Sequence, residues 1–234
     1  MRLNRIFGLC AVCALLLSSC GNDNMFGGIP NIYQDAFIAA SKDNEGSFSK
    51  VIEEGVKVGK EKATPIAEKL IGKSIPYKVM DENLPYKIIS DIVIKNVELP
   101  SALNITDRGR TGLLVEFDVE VGKIEGEIGQ VNCFYLLPGK DGYVGFGQWG
   151  ITDDQMRRPK QVTYYGLRQT IYVLEEGDKL HVKGWLYAPA VPAEYLDGCN
   201  ELHLVSNDTF NDHLEKIKDK QKTWYYDFAK IQGW

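Results

Sequence analysis

Leu113-Leu114-Val115-Glu116-Phe117-Asp118-Val119-Glu120-Val121 changes character at almost every residue: its odd positions are apolar, and Glu116, Asp118 and Glu120 fall between them. A period of two over nine residues is a strand pattern, because successive side chains point to opposite faces of a sheet. One face of this strand is buried and the other is wet, the arrangement that antiparallel sheets allow. Val131 to Leu137 is apolar on both faces and suits a central strand. Pro138-Gly139-Lys140-Asp141-Gly142 then forms a tight turn into Tyr143-Val144.

The same strand character starts near Tyr77 and is strong from Ile88 to Leu99. Val162 to Leu174 is β-rich, with a bend expected at Gly166. Glu175-Glu176-Gly177-Asp178 turns the chain into Lys179 to Tyr187, a hairpin by its spacing, and Glu201 to Val205 is a last short strand. Thr152 to Gln155 matches a capping box, which predicts a short helical turn before Pro159.

Helical periodicity lies on either side of this region. Asn31 to Ala40 suits a first short helix. Phe48, Val51, Ile52, Gly55, Val56, Gly59, Ala63, Ile66, Ala67 and Leu70 recur at three- and four-residue steps, with Pro65 expected to kink or divide the helix. Gly55, Gly59 and Ala63 align as a stripe of small residues that suits close packing within the molecule. From Asp208, a bulky stripe runs through Phe210, Leu214, Ile217, Trp224, Tyr225, Phe228 and Ile231. The fold class is therefore α+β: an antiparallel β-sandwich or curved sheet flanked by an N-terminal and a C-terminal helix. One domain over 31–234 is expected, helical over 31–73, β-rich over 74–206 and helical again over 208–232. The small and bulky helical faces predict that the terminal helices pack near each other on one side of the sheet.

The N-terminus carries a separate message. Arg2 and Arg5 precede a short apolar run from Ile6 to Leu17, followed by Ser18, Ser19 and Cys20. About a dozen apolar residues are too few for a membrane span, which needs roughly 20. Leu17-Ser18-Ser19-Cys20 resembles the lipobox of bacterial lipoproteins, and Gly21-Asn22-Asp23-Asn24 is similar to a thin form of the signal that follows the cysteine in surface lipoproteins of Bacteroidetes. The resemblance implies a signal peptide over 1–19, acylation of Cys20, and a lipid-anchored place in the cell envelope, in the outer membrane of a Gram-negative bacterium. The glycine- and asparagine-rich stretch 20–30 reads as a flexible tether.

Without the signal segment the chain has 25 basic and 32 acidic residues, a formal charge of −7. That balance argues against nucleic acid as a partner and offers no polybasic patch for anionic lipid. Cys133 and Cys199 are the cysteines left after Cys20, and an exported setting would permit a disulfide between them, although two buried thiols are the simpler expectation.

Chemistry-bearing patterns are sparse. Gly145-Phe146-Gly147-Gln148-Trp149-Gly150 spells a G-x-G-x-x-G but follows a hairpin, outside the strand-to-helix setting that a dinucleotide needs. His181, His203 and His213 lack metal-ligand spacing, and no cofactor is implied. Glu116, Asp118 and Glu120 share one strand face, roughly 6–7 Å apart, where they could serve an envelope hydrolase or simply face solvent. The opposite choice is an aromatic platform. Trp185 and Tyr187 fall on the polar face of their strand, and Trp149, Tyr164 and Tyr165 could extend it. Flat rings with polar edges suit glycans, peptides or partner proteins in the envelope. These patterns favour a non-catalytic binding or assembly protein over the hydrolase.

Overall fold

A computed structural model describes residues 24–103, 110–124, 128–152, 158–188 and 193–231. The stretch 1–19 expected as a signal peptide, Cys20 and most of the expected Thr152–Gln155 capping box lie outside these residues. The described architecture is α+β, with a curled antiparallel sheet between helical layers.

Two helices come first, α1 (Ile29–Asp43) and α2 (Phe48–Leu70). The stretch expected as a tether is already folded from its fifth residue. Phe26 is wholly buried, Met25 nearly so, and the Met25 amide donates to the Cys199 carbonyl at 2.7 Å. The Asn24 side-chain oxygen accepts from the Phe26 amide at 2.9 Å, and Gly28, at φ 76°, turns the chain into α1. Burying Phe26 and Ile29 outweighs the flexibility that the local glycines suggest.

Small-residue packing is internal, as its spacing suggests, but its partner is α1 and not the C-terminal helix. A side chain at Gly55 would collide with the Phe37 ring, and one at Gly59 would come within 2.6 Å of Tyr33. Pro65 lies inside α2 on an exposed face without dividing it, and the Thr64 hydroxyl donates to the Lys60 carbonyl at 2.7 Å instead of capping a second piece.

Eleven strands follow among the described residues. Sheet A is ordered β1 (Ser74–Ile75), β4 (Ile92–Glu98), β5 (Thr111–Val121) and β10 (Lys179–Ala188), with β3 (Tyr86–Ile88) beyond β4 on the same edge of β5. Sheet B is ordered β2 (Tyr77–Val79), β11 (Leu202–Val205), β6 (Gln130–Gly139) and β7 (Gly142–Thr152). β1 and β2 are one stretch of chain that changes sheet at Pro76, which curls the two sheets together. Their inner faces enclose a single core, where Phe117 meets Trp149 at 5.1 Å between ring centroids and Trp149 meets Tyr135 at 4.4 Å.

The differing strand patterns have a physical cause. α3 (Asn207–Ile231) lies over the outer face of sheet B, packing Phe210, Leu214 and Ile217 on Phe134, Leu136, Tyr143 and Phe146. β6 is thus covered on both sides, so it is apolar on both. β5 has a core side and an open side, so it alternates.

The remaining pair, β8 (Pro159–Tyr164) and β9 (Leu167–Tyr172), is a separate hairpin. Val162 to Leu174 therefore holds a reversal, not a bend. Tyr165 (φ 48°) and Gly166 (φ 77°) form the two-residue turn, which needs positive φ at both positions. The hairpin expected between this segment and β10 does not form. The Gly177 amide donates to the Val121 carbonyl and the Val121 amide donates to the Asp178 carbonyl, both at 2.8 Å, which aligns β10 with β5.

Candidate functional site

The outer face of sheet A is the surface of interest, because no helix among the described residues is packed over it. Register fixes its content. Along β5 the outward residues are Gly112, Leu114, Glu116, Asp118 and Glu120, and across β10 they meet Tyr187, Trp185, Lys183, His181 and Lys179 in turn. On the other edge Lys87 faces Glu120, and a bulge between Ile94 and Asn96 brings Lys95 to within 3.8 Å of Glu116.

Two regions result. The lower one is a ladder of opposite charges. His181 Nδ1 lies 2.8 Å from Asp118, and its Nε2 lies 3.5 Å from Glu116. Lys183 reaches Glu116 at 3.6 Å, and Lys179 reaches Glu120 at 3.7 Å. Cross-strand pairs of this kind are worth a few tenths of a kcal/mol to ~1 kcal/mol each. The three carboxylates thus stand in a row on one strand, each beside a lysine or a histidine, rather than facing one another across a groove as glycoside hydrolysis requires.

The upper region is aromatic. Trp185 and Tyr187 are stacked, with ring centroids 6.0 Å apart and planes 16° from parallel. Tyr187 is 37% exposed and Trp185 is half-buried. Both rings fold down onto β5 because Gly112 has no side chain: a Cβ there would come within 2.9 Å of the Tyr187 ring and 3.1 Å of the Trp185 ring. The Arg110 guanidinium lies 5.9 Å from the Tyr187 ring centroid, a cation–π distance. Burial and the Glu98 carboxylate hold the Tyr187 phenol above its ordinary range, against the pull of Arg110. At neutral pH it is therefore a hydrogen-bond donor as well as a flat surface.

The other platform residues separate. Trp149 is a core residue, 4% exposed, with its ring against Gly184 and its Nε1–H donating to the Trp185 carbonyl at 3.3 Å. Strand alternation in β7 turns it inward, where Gly184 leaves room. Tyr164 and Tyr165 belong to the β8–β9 arm and not to sheet A. Tyr165 sits at the tip, 89% exposed, while the side chain of Tyr164 lies outside what is described. Arg110 and Gly112 complete the platform but were not singled out in the sequence; a glycine opening a strand opposite an aromatic pair is the signal that could have found them.

Cys133 and Cys199 are separate buried thiols, so the disulfide does not form. Cys133 faces Tyr86 inside the core from the middle of β6, whereas Cys199 follows the 3-10 turn Ala193–Leu196 beside Met25. Burial pushes both thiols up to about 12, which leaves them protonated and unreactive at neutral pH. His203 bridges Tyr143 (3.1 Å) and Glu201 (3.0 Å) under α3, while His181 belongs to the charge ladder. The glycines from Gly145 to Gly150 lie within β7 and do not open a helix.

Among the described residues no group of three or more His, Cys, Asp or Glu could hold a metal ion, and no helix is long and apolar enough to cross a membrane. A hollow of about 140 Å³, lined by Asp141, Val144, Tyr195, Lys220 and Thr223, is smaller than the ~300 Å³ at which small-molecule sites begin. Compared with known protein families, curated protein sequences and solved structures, the chain matches none.

Proposed function

We propose that this chain is a lipid-anchored envelope protein of non-catalytic type, which binds a glycan, peptide or partner protein on the outer face of sheet A. The observation that carries the reading is the stacked Trp185–Tyr187 pair, exposed beside Arg110 on an open sheet. Aromatic faces with a cation and a phenol at their edge suit sugar rings and peptide groups, and such residues supply much of the binding energy of interfaces. Anchoring rests on Leu17-Ser18-Ser19-Cys20, with outer-membrane placement as its extension.

One observation favours a second reading, a subunit of a surface assembly. The β8–β9 arm exposes Tyr165 and Leu167 (66%) at its tip, yet its base is fixed: Arg158 pairs with Glu175 and Asp178, and Leu174 is buried. A two-stranded ribbon alone in water is marginal, which suits a protein partner. Both readings are tested by recovering envelope glycans and proteins with the lipidated protein, a Cys20→Ala control and a Trp185→Ala/Tyr187→Ala variant. The binding reading expects a partner lost from the double variant. A partner kept by that variant but lost on deleting residues 160–171 would favour assembly, and no partner in any sample would refute both.

A further inference from the structure

If Cys20 carries the lipid, the short distance from Cys20 to the first folded residue fixes how the body stands on the membrane. Asn24 is buried and held by the turn that leads into α1, so only Gly21, Asn22 and Asp23 separate the cysteine from the folded body. Four Cα steps reach at most about 14 Å, at roughly 3.5 Å each. A domain held that closely cannot hover above the bilayer; one particular face of it must rest there.

Contacts around Asn24 identify the face. Met25 bonds to Cys199, three residues before Leu202, which is in register with Tyr77 on β2. On the other side, a Cβ at Gly27 would meet Ile66 at 2.9 Å and Leu70 at 3.4 Å, and Ile71 follows directly. Ile71 (47% exposed) lies just past the end of α2, and Tyr77 (36%) and Val79 (52%) lie on the edge strand β2. These exposed apolar residues belong to the two elements that flank the point where the chain enters the fold, and together are read as an apolar rim. Lys69 and Lys73 are exposed on either side of Ile71. Apolar side chains, a tyrosine and interleaved lysines suit the headgroup zone, where ammonium groups stay wet while their stems lie against acyl chains.

We propose that this rim is the membrane seat of the protein: Ile71, Tyr77 and Val79 rest in the headgroup layer of the bilayer that holds the acylated Cys20, with Lys69 and Lys73 against lipid phosphates. This rests on the anchoring reading above. It also gives the molecule a polarity. Gly198, beside Cys199, packs near Gly139 at one end of β6, whereas Leu174 at the base of the arm bonds to Ile128 at the other. Ten residues of strand, about 33 Å, separate those ends, so the β8–β9 arm points away from the seat.

The test uses the full chain, purified with its lipid and returned to vesicles of phosphatidylethanolamine and phosphatidylglycerol. A spin label at Ile71→Cys or at Gln169→Cys on the arm is selective, because Cys133 and Cys199 are buried and protonated. In vesicles, the Ile71 label should gain collisions with dissolved oxygen and lose them with a water-soluble paramagnetic complex, while the Gln169 label stays aqueous. An Ile71 label as aqueous as the Gln169 label, with Cys20 acylated by mass spectrometry, would overturn the seat and leave the anchor standing. Absence of an acyl group on Cys20 would overturn the anchor and the seat together.

Discussion

The indole Nε1–H of Trp149 donates to the main-chain carbonyl of Trp185 at 3.3 Å, joining sheet B to sheet A where the two sheets meet. One tryptophan is thereby buried as structural packing, while the next strand presents the other to the surface. Trp149→Ala removes a core indole and leaves a cavity beside Gly184, Phe117 and Tyr135. It should cost about 3–5 kcal/mol in urea unfolding. Trp185→Ala should cost far less, about 1 kcal/mol, because its ring is only half-buried. Equal costs would contradict this division.

Gly112 is predicted to control the platform. Gly112→Val places methyl groups where the Tyr187 and Trp185 rings lie, so the stack must lift from β5. Partner binding should fall at least tenfold while the thermal midpoint moves by only a few degrees, a ~1 kcal/mol effect. Near-UV circular dichroism should report the loss of the fixed stack. An unchanged aromatic spectrum would count against the close approach.

How much of this was legible in the sequence varies by element. The alternation from Leu113 to Val121 gave one buried and one wet face, and the apolar run from Val131 to Leu137 gave a doubly covered strand; both follow from periodicity alone. The partner of the Gly55–Gly59 stripe was not legible, because spacing reveals a groove without saying which ring fills it. Phe37 and Tyr33 fill it from a helix whose extent local composition understated. The β8–β9 reversal was missed because Tyr165 adopts positive φ without being glycine, asparagine or aspartate. Trp149 looked like a surface aromatic for want of knowing that Gly184 lies opposite.

Helix pairing offers a direct check. Gly55→Leu should drive α1 and α2 apart, since Phe37 occupies the space and is itself almost wholly buried. A destabilisation of about 2–3 kcal/mol or more is expected from overpacking. A Phe37→Ala second substitution should restore part of it, and strict additivity in the double-mutant cycle would show that the two sites do not touch.

Alkaline pH should unfold the protein early. A thiol ionises at its ordinary 9.0 when unfolded, but Cys133 and Cys199 are held protonated up to about 12 by burial. Tyr33 is likewise raised from 10.0 to about 12. The folded state thus keeps protons that the unfolded chain has released, so stability present below pH 9 is lost as pH rises towards 12. Circular dichroism in urea should show the midpoint falling across that window. The thiols should also resist a disulfide-exchange reagent at pH 8 until the chain unfolds, and rapid labelling of the native protein would contradict their burial.

The Arg158 clamp should govern the arm. Arg158→Ala removes the partner of Glu175 and of the nearly buried Asp178, whose carboxylate also accepts from the Glu175 amide at 2.8 Å. The loss should be about 1–2 kcal/mol, since Arg158 is itself partly exposed. Amide exchange should accelerate across 159–172 while β5 and β6 stay protected; uniform acceleration would mean that the clamp supports the whole fold.

The central claim is that the Trp185–Tyr187 face meets a ligand in the envelope. Its most direct test places a photoreactive phenylalanine analogue at Tyr187 of the acylated protein in living cells, with Lys57 on the exposed side of α2 as the control position. The account predicts one discrete adduct, glycan or protein, from position 187, lost with Trp185→Ala and absent from position 57. No adduct from position 187 in folded, acylated protein, or the same adduct from both positions, would contradict it.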